Sequence, residues 1–337
     1  MKDGSSTNME KVKPIKDRGH DHVFVTLADK NYVDQAKQLF SSAYWNGGWD
    51  EDYLLIAQEI PEKKLEWFRK KGIIVYKCKP LWKEKIYGGF LSIVLSKFYL
   101  FKPYFKKWKK VIFLDGDMIV RASIKDLKKY KGITAPEGGS KLREELTNID
   151  ASIKNKYDLN TLDFCAGVFV LETKIVQKNT FDELKEMIVK YQHHAIFAEQ
   201  SLLNLYFYKK VKRFPSAYNI MINSDEFLLD RKSIKGIIIH FAWKPKPWEK
   251  SSPFYTEWKN NLDRAENICL KQAPTPKEFG EEEIRKFEKR MIMRRALATC
   301  IMTSKRLIQK IFGLPYHIGR VIKKISPKIY YLLGGRN

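Results

Sequence analysis

The stretch VIFLDGDMIV, Val111 to Val120, decides the fold of this 337-residue chain. Its four leading apolar residues predict a buried strand, and Asp115 and Asp117 fall at the carboxyl end of that strand, where open α/β sheets place their ligands. Two carboxylates spaced i and i+2, with Gly116 between them to let the backbone turn, can present oxygens to one hard divalent cation, which in turn neutralises a diphosphate. Two solvated turn aspartates would give the same string, so the segment alone leaves both readings open.

Working toward the N-terminus, HVFVTLA (22–28), YLLIA (53–57) and IIVYK (73–77) are short, continuous apolar runs of the buried-strand kind. Helical patterns separate them, one through Val33, Ala36, Leu39 and Phe40 and one from Pro61 to Lys71. The alternation predicts an α/β fold with a parallel sheet and a nucleotide site. Residues 91–109 read as a helix and residues 110–120 as a strand running into a turn. Toward the C-terminus, 136–161 is polar and irregular, DFCAGVFVLE (163–172) reads as a strand, 180–192 and 199–208 as helices, and GIIIHF (236–241) as a last strand. Residues 1–20 are polar and read as a loose leader.

Three further places carry candidate chemistry. His240 ends an apolar run and can be a third metal ligand, with Lys246 available to a phosphate; the same residues also suit a hydrogen-bonded core histidine and a surface lysine. Glu199 and Gln200 start an amphipathic helix, a position that suits side chains reaching into a pocket and that the helix dipole favours for Glu in any case. Asp29 and Asn31 follow the first strand and can hydrogen-bond a base or ribose.

Composition bounds these readings. With 44% hydrophobic and 13% aromatic residues the chain can bury a sizeable core. Four cysteines without CxxC spacing exclude a zinc ribbon and a disulfide scaffold. No stretch approaches the roughly 20 apolar residues of a spanning helix and no signal peptide is evident, so a cytoplasmic protein is expected. The net charge of +24 calls for an anionic partner. Over half of it lies in the last 53 residues, where 14 Lys and Arg face one acid, Glu288. On a helix over 284–312, Arg294, Arg295, Lys305, Arg306 and Lys310 share one arc, and Met293, Leu297, Cys300, Ile301, Ile308 and Ile311 the opposite one. A basic amphipathic helix of this kind fits an anionic membrane surface, and its apolar arc also suits packing on the body; nucleic acid is disfavoured for want of stacking aromatics.

Taken in order, ADKNY after the first strand, LFKPYFKKWKKVIFLDGDMIV, APE (135–137), FCAGVFVLE, EQSLLN, FPSAYN (214–219) and HFAWKPKPW resemble family 8 of the retaining glycosyltransferases, the family of glycogenin and bacterial lipopolysaccharide galactosyltransferases. The resemblance implies a GT-A fold, a Rossmann-like mixed sheet flanked by helices, over residues 21–275, followed by the basic helical tail, 276–337. It implies transfer of a hexose from UDP-glucose or UDP-galactose to a glycan or glycolipid acceptor, with Mn2+ or Mg2+ held by Asp115, Asp117 and His240. Lys97 and Lys246 would stand near the donor and its phosphates. Thr26, Leu27, Ala28, Asp29, Asn31 and Tyr32 would line the uridine pocket beside Gly116, and Glu137, Glu199 and Gln200 would meet the donor sugar and reaction centre.

The chain departs from the family pattern at four places. Cys165 stands where the family usually has Asn, Glu137 and Glu199 where Asp is common, and Trp243 where the family has Gly. The first removes an amide contact to the sugar, and the last either narrows the pocket or offers a stacking platform to an acceptor sugar. Two rival readings remain at this point: a basic adaptor with a non-catalytic transferase body, and a phosphatase with a DxD nucleophile motif. The second lacks a later strand ending in paired aspartates.

Overall fold

The structure, a computed structural model, describes residues 19–84, 86, 89–222, 236–272, 274–289 and 293. In chain order the strands are β1 (His22–Ala28), β2 (Asp52–Gln58), β3 (Ile74–Cys78), β4 (Lys110–Leu114), β5 (Met118–Val120), β6 (Ile133–Ala135), β7 (Glu137–Lys141), β8 (Leu162–Phe164), β9 (Val168–Glu172), β10 (Lys212–Arg213), β11 (Ile220–Met221) and β12 (Ile238–His240). The helices are α1 (Val33–Trp45), α2 (Glu62–Lys70), α3 (Ala151–Lys154), α4 (Thr180–Tyr191), α5 (Glu199–Tyr206) and α6 (Tyr255–Arg264).

Seven strands form the main sheet in the order β10-β6-β9-β4-β1-β2-β3. β1 pairs in parallel with β2 and β4, and β2 with β3, as the alternating strands and helices predict. β9 runs antiparallel to β4 and β6, so the sheet is mixed. Its strands alternate sides with a period of two. Phe24, Leu55 and Ile112 pack on the α1 side, while Val23, Val25, Leu54 and Phe113 pack on the side of residues 92–107, α4 and α5. Being covered on both faces is why these strands read as unbroken apolar runs. α1 explains its own placement, since Val33, Ala36, Leu39, Phe40, Ala43 and Tyr44 form one buried stripe.

Three elements differ from the expected ones. Residues 92–107 wind as two 3-10 segments, Ser92–Phe101 and Pro103–Lys107, broken at Lys102, which Pro103 holds extended. The strand expected over 163–172 is two strands, β8 and β9, parted by Cys165, Ala166 and Gly167. The irregular region 136–161 contains β7, which pairs with β8, and α3.

β5, β11 and β12 make a second, three-stranded sheet. Between β4 and β5 the chain passes from the large sheet to the small one through three residues, Asp115, Gly116 and Asp117. The strand order turns between β1 and β4: the chain runs from β1 outward to β3, then returns to the other side of β1. The carboxyl ends of β1 and β4 thereby frame the crevice in which such sheets bind ligands. Residues 274–289 lie against this body. The Ser123 N–H donates to the Lys277 carbonyl at 2.8 Å, Phe287 is buried, and the Glu288 carboxylate accepts from the Ala217 N–H at 3.2 Å. Most of the basic stretch beyond, and the leader as far as residue 18, lie outside the described residues. Among the described residues no helix is long and apolar enough to cross a membrane.

Candidate active site

Asp115 follows β4 and Asp117 precedes β5, and the tight link between two packed sheets leaves both carboxylates at the crevice. β12 runs antiparallel to β5 with His240 opposite Met118, which brings the imidazole beside them. One oxygen from each aspartate and one imidazole nitrogen lie within 4.8 Å of one another. The Asn219 side-chain oxygen is 3.0 Å from His240 Nδ1, leaving Nε2 to face Asp117 Oδ1 at 3.4 Å. That is the orientation a metal-ligating imidazole takes when a neighbour holds its other nitrogen.

The backbone closes tightly around this triad. The Asp115 N–H donates to the Gly167 carbonyl at 2.8 Å. A Cβ at Gly167 would stand 2.7 Å from His240 Cε1 and 3.1 Å from Asp115 Oδ2, so only glycine fits. Asp117 Oδ1 is buried and accepts no hydrogen bond. Two carboxylates and an imidazole, one oxygen left unsatisfied, are the hard oxygen and nitrogen donors that manganese or magnesium takes.

Lysines flank the triad. Lys97, 1% exposed, reaches from the 3-10 segment to Asp115 Oδ1 at 3.2 Å, Glu199 Oε1 at 2.7 Å and the Ala166 carbonyl at 3.0 Å. Lys246 donates to Asp117 Oδ2 at 2.8 Å. Burial pushes the Asp115 carboxyl up to about 6, and neighbouring Lys97 limits the rise. Burial acts the same way on Asp117, but His240 and Lys246 outweigh it and hold that carboxyl well below the usual range. For His240, burial disfavours the charged ring while Asp117 favours it, and Asp117 wins, raising it to about 10.

Other predicted residues gather around this centre. Thr26, Leu27 and Ala28 are buried at the carboxyl end of β1. Asp29 Oδ1 accepts the Asn31 N–H at 2.8 Å and the Tyr32 N–H at 3.2 Å, an Asx turn that shapes the strand end. Tyr32 lies against Gly116, its hydroxyl is raised by burial and then by Asp117, and its ring meets Trp248 edge-on at 5.8 Å. Glu199 and Gln200 open α5 directly after Ala198, whose φ of 46° is in the region that favours glycine. Gln200 accepts the Ala166 N–H at 3.1 Å, placing it behind the Gly167 turn. Glu137 sits on β7 opposite Phe164, where Asp163 and Arg213 feel its charge. Trp243 is 58% exposed.

Sequence reasoning did not single out Asn219, Gly167, Glu145 or Asp163. Asn219 and Gly167 lie inside segments that carry the family resemblance, FPSAYN and FCAGVFVLE. Cys165, the departure from the family's Asn, is buried with Sγ 3.9 Å from His240 Nδ1.

Comparison with known proteins matches these features to one family. The sequence profile of Glycosyl transferase family 8 matches residues 25–252. Galactinol synthase 2 of Solanum lycopersicum is 26% identical over 234 residues, covering 61% of this chain and 64% of that protein. The chain thus spans slightly less than two thirds of that relative's length. The structure of the galactosyltransferase LgtC in complex with donor and acceptor sugar analogs aligns with a TM-score of 0.55 at 17% identity, over 76% of this chain and 98% of that one. GlyE of Streptococcus pneumoniae TIGR4 aligns with a TM-score of 0.54 at 19% identity, over 76% and 66%. These likenesses show the GT-A fold, and with the profile covering roughly two thirds of the sequence, the chain belongs to glycosyl transferase family 8.

Proposed function

We propose that this protein transfers a hexose, glucose or galactose, from a UDP-sugar to a glycan or lipid-linked glycan acceptor, with retention at the anomeric carbon. The observation that carries the reading is the convergence of Asp115, Asp117 and His240 at the carboxyl end of β4, with Lys97 and Lys246 on either side. A manganese or magnesium ion held by the triad would neutralise the donor diphosphate and the charge that grows on the leaving UDP. The names galactinol synthase and galactosyltransferase among its relatives support galactose as one of the two donors.

The chain's own residues divide the remaining work. Lys246 and Lys97 add fixed positive charge where negative charge develops on the phosphates. Thr26, Leu27, Ala28, Asp29, Asn31 and Tyr32 line the uridine pocket, and Gly116 lets the diphosphate approach the backbone. Glu137, Glu199 and Gln200 face the donor sugar. Glu199 is already engaged by Lys97, and the amide of Gln200 is a poor nucleophile, so no residue here favours a covalent intermediate. The acceptor oxygen therefore bonds to the anomeric carbon on the face from which UDP departs, and its proton passes to the leaving phosphate oxygen. Trp243 offers its exposed ring to the acceptor sugar. The basic residues beyond 289 supply the contact with an anionic membrane surface that holds a lipid-linked acceptor.

The test is hydrolysis of UDP-glucose and UDP-galactose by the purified protein with manganese, repeated with EDTA and with Asp117→Ala. Turnover of one donor that disappears in both controls is expected. A protein that binds no UDP in the presence of manganese sinks the reading.

A further inference from the structure

The carboxamide of Gln200 is gripped from two sides. A backbone N–H can only donate, so the amide atom 3.1 Å from the Ala166 nitrogen is Oε1. This sets the orientation of the whole group: Nε2 points the other way and donates to Glu145 Oε1 at 2.8 Å. Glu145 is fully buried. Its Oε2 accepts from the Ser201 hydroxyl at 2.9 Å, and that hydroxyl lies 2.8 Å from the Glu145 backbone carbonyl. Residue 145 is thereby tied at both ends to the first turn of α5.

A second carboxyl, Asp163 of β8, acts on Glu145. Asp163 Oδ1 accepts the Ser140 N–H at 2.8 Å, and a Cβ at Gly138 would stand 2.2 Å from Oδ2, so the acid is pressed against the β7 backbone. Two buried carboxyls that interact disfavour being ionised together. Burial, then Asp163, pushes Glu145 up to about 9, and burial raises Asp163 as well. Arg213 lowers Asp163 and Glu137 raises it. At neutral pH Glu145 is the neutral acid and an acceptor for Gln200.

We propose that Glu145, held against the first turn of α5 by Ser201, is a positioning residue that fixes the rotation of the Gln200 carboxamide at the reaction centre. The proposal rests on the placement of Gln200 made under Proposed function. The terminal torsion of a glutamine is broad and roughly two-fold. Without Glu145 the half-buried amide can swing its nitrogen and oxygen away from the geometry the transfer step uses.

A neutral acid is matched by an amide, which supplies the same donor and acceptor, so Glu145→Gln should keep the device and Glu145→Met should abolish it. With UDP-glucose and UDP-galactose as probes, Glu145→Met is expected to lower kcat about 30-fold with donor KM within about threefold of wild type. Glu145→Gln is expected to recover kcat to within about threefold of wild type. The double variant Glu145→Met with Gln200→Ala should be no slower than Gln200→Ala alone, because both changes remove one effect. Wild-type kcat in Glu145→Met, with Gln200→Ala slow, overturns the proposal, as do losses that multiply in the double variant. Wild-type kcat in Gln200→Ala instead removes Gln200 from the reaction centre. A readout without turnover separates the two failures: the Gln200 side-chain amide pair in a 1H–15N spectrum, assigned by its loss in Gln200→Ala. That pair should stay in place in Glu145→Gln and move toward the free-amide position in Glu145→Met; an unmoved pair in Glu145→Met defeats the positioning role whatever the rates. Should Glu145→Met fail to fold, Glu145→Asp draws the carboxyl back by a methylene and serves the same measurements.

Discussion

At the charged end of the site Asp115, Asp117 and Glu199 each meet a cation, Lys97, Lys246 or His240, whereas at the end behind Gln200 the buried acids Glu145 and Asp163 act on each other. Both ends bury acid, and they limit its charge differently. Three carboxylates opposed by two lysines and an imidazole form a charge-dense site that a metal and a diphosphate can enter by rearranging existing partners. Two interacting carboxyls, one of them raised far enough to keep its proton, carry a single negative charge and offer little to exchange except that proton. The first arrangement suits binding of charge, and the second suits holding an amide still.

Breaking the charged end should have the largest consequence. Lys97→Met leaves Asp115 and Glu199 facing each other without their shared cation, at an expected cost of about 3 kcal/mol in stability. Urea unfolding in metal-free buffer measures it, and a loss below about 1 kcal/mol would show that solvent already screens this pair. The next effect concerns orientation. Asn219→Ala frees the His240 ring to turn, and manganese affinity should fall about 10- to 100-fold with the fold intact. Isothermal titration with manganese decides this, an unchanged affinity meaning that Gly167 and the strand alone aim the imidazole.

The Glu145 end should reveal itself in the pH dependence of stability. Glu145 is raised from the ordinary 4.5 to about 9, so between those values the folded protein holds a proton the unfolded chain releases. Its contribution is fully present below the lower value and is lost as pH rises through the upper one. The melting temperature of wild type should therefore drop from pH 6 to pH 9 more than that of Glu145→Gln, which has no such proton; parallel curves would contradict the retained proton. The smallest effect lies between the two ends. Ala198 carries a φ of 46° immediately before Glu199, and Ala198→Gly should relieve about 1 kcal/mol of strain. Denaturant midpoints read that gain, and a destabilised variant would mean that chain entropy outweighs the strain.

The two ends also differed in how far sequence could reveal them. The charged end was legible because its core is local: an apolar strand, a glycine turn and two aspartates in one decapeptide, then a histidine closing a second apolar run. Lys97 entered through resemblance alone, for nothing around it distinguishes it from the other lysines of residues 97–110. Asn219 ends a quoted segment but has no spacing rule that links it to His240. Glu145 lies in a polar stretch without periodicity, and its burial comes from α5, 55 residues further on. A buried acid in such a stretch looks like surface until the chain is folded. The 3-10 winding of 92–101 was misjudged for a related reason: residues 95–101 are buried on every side, so they show no polar face whose period could be counted.

The three-residue link from Asp115 to Asp117 joins two sheets, so the first aspartate moves with the large sheet and the second, with His240, moves with the small one. The spacing of the three donor atoms is therefore a gauge of the angle at which the sheets meet. Apolar side chains pack between the sheets, among them Ile119 and Ile239 of the small sheet, which share one cluster with Phe24 and Ile112 of the large one. A repacked methyl group in that layer acts as a wedge whose displacement is read at the triad, and shifts on the order of 1 Å are enough to cost a hundredfold in rate. The geometry that a metal would meet at the triad is, in that mechanical sense, calibrated from the hydrophobic interior.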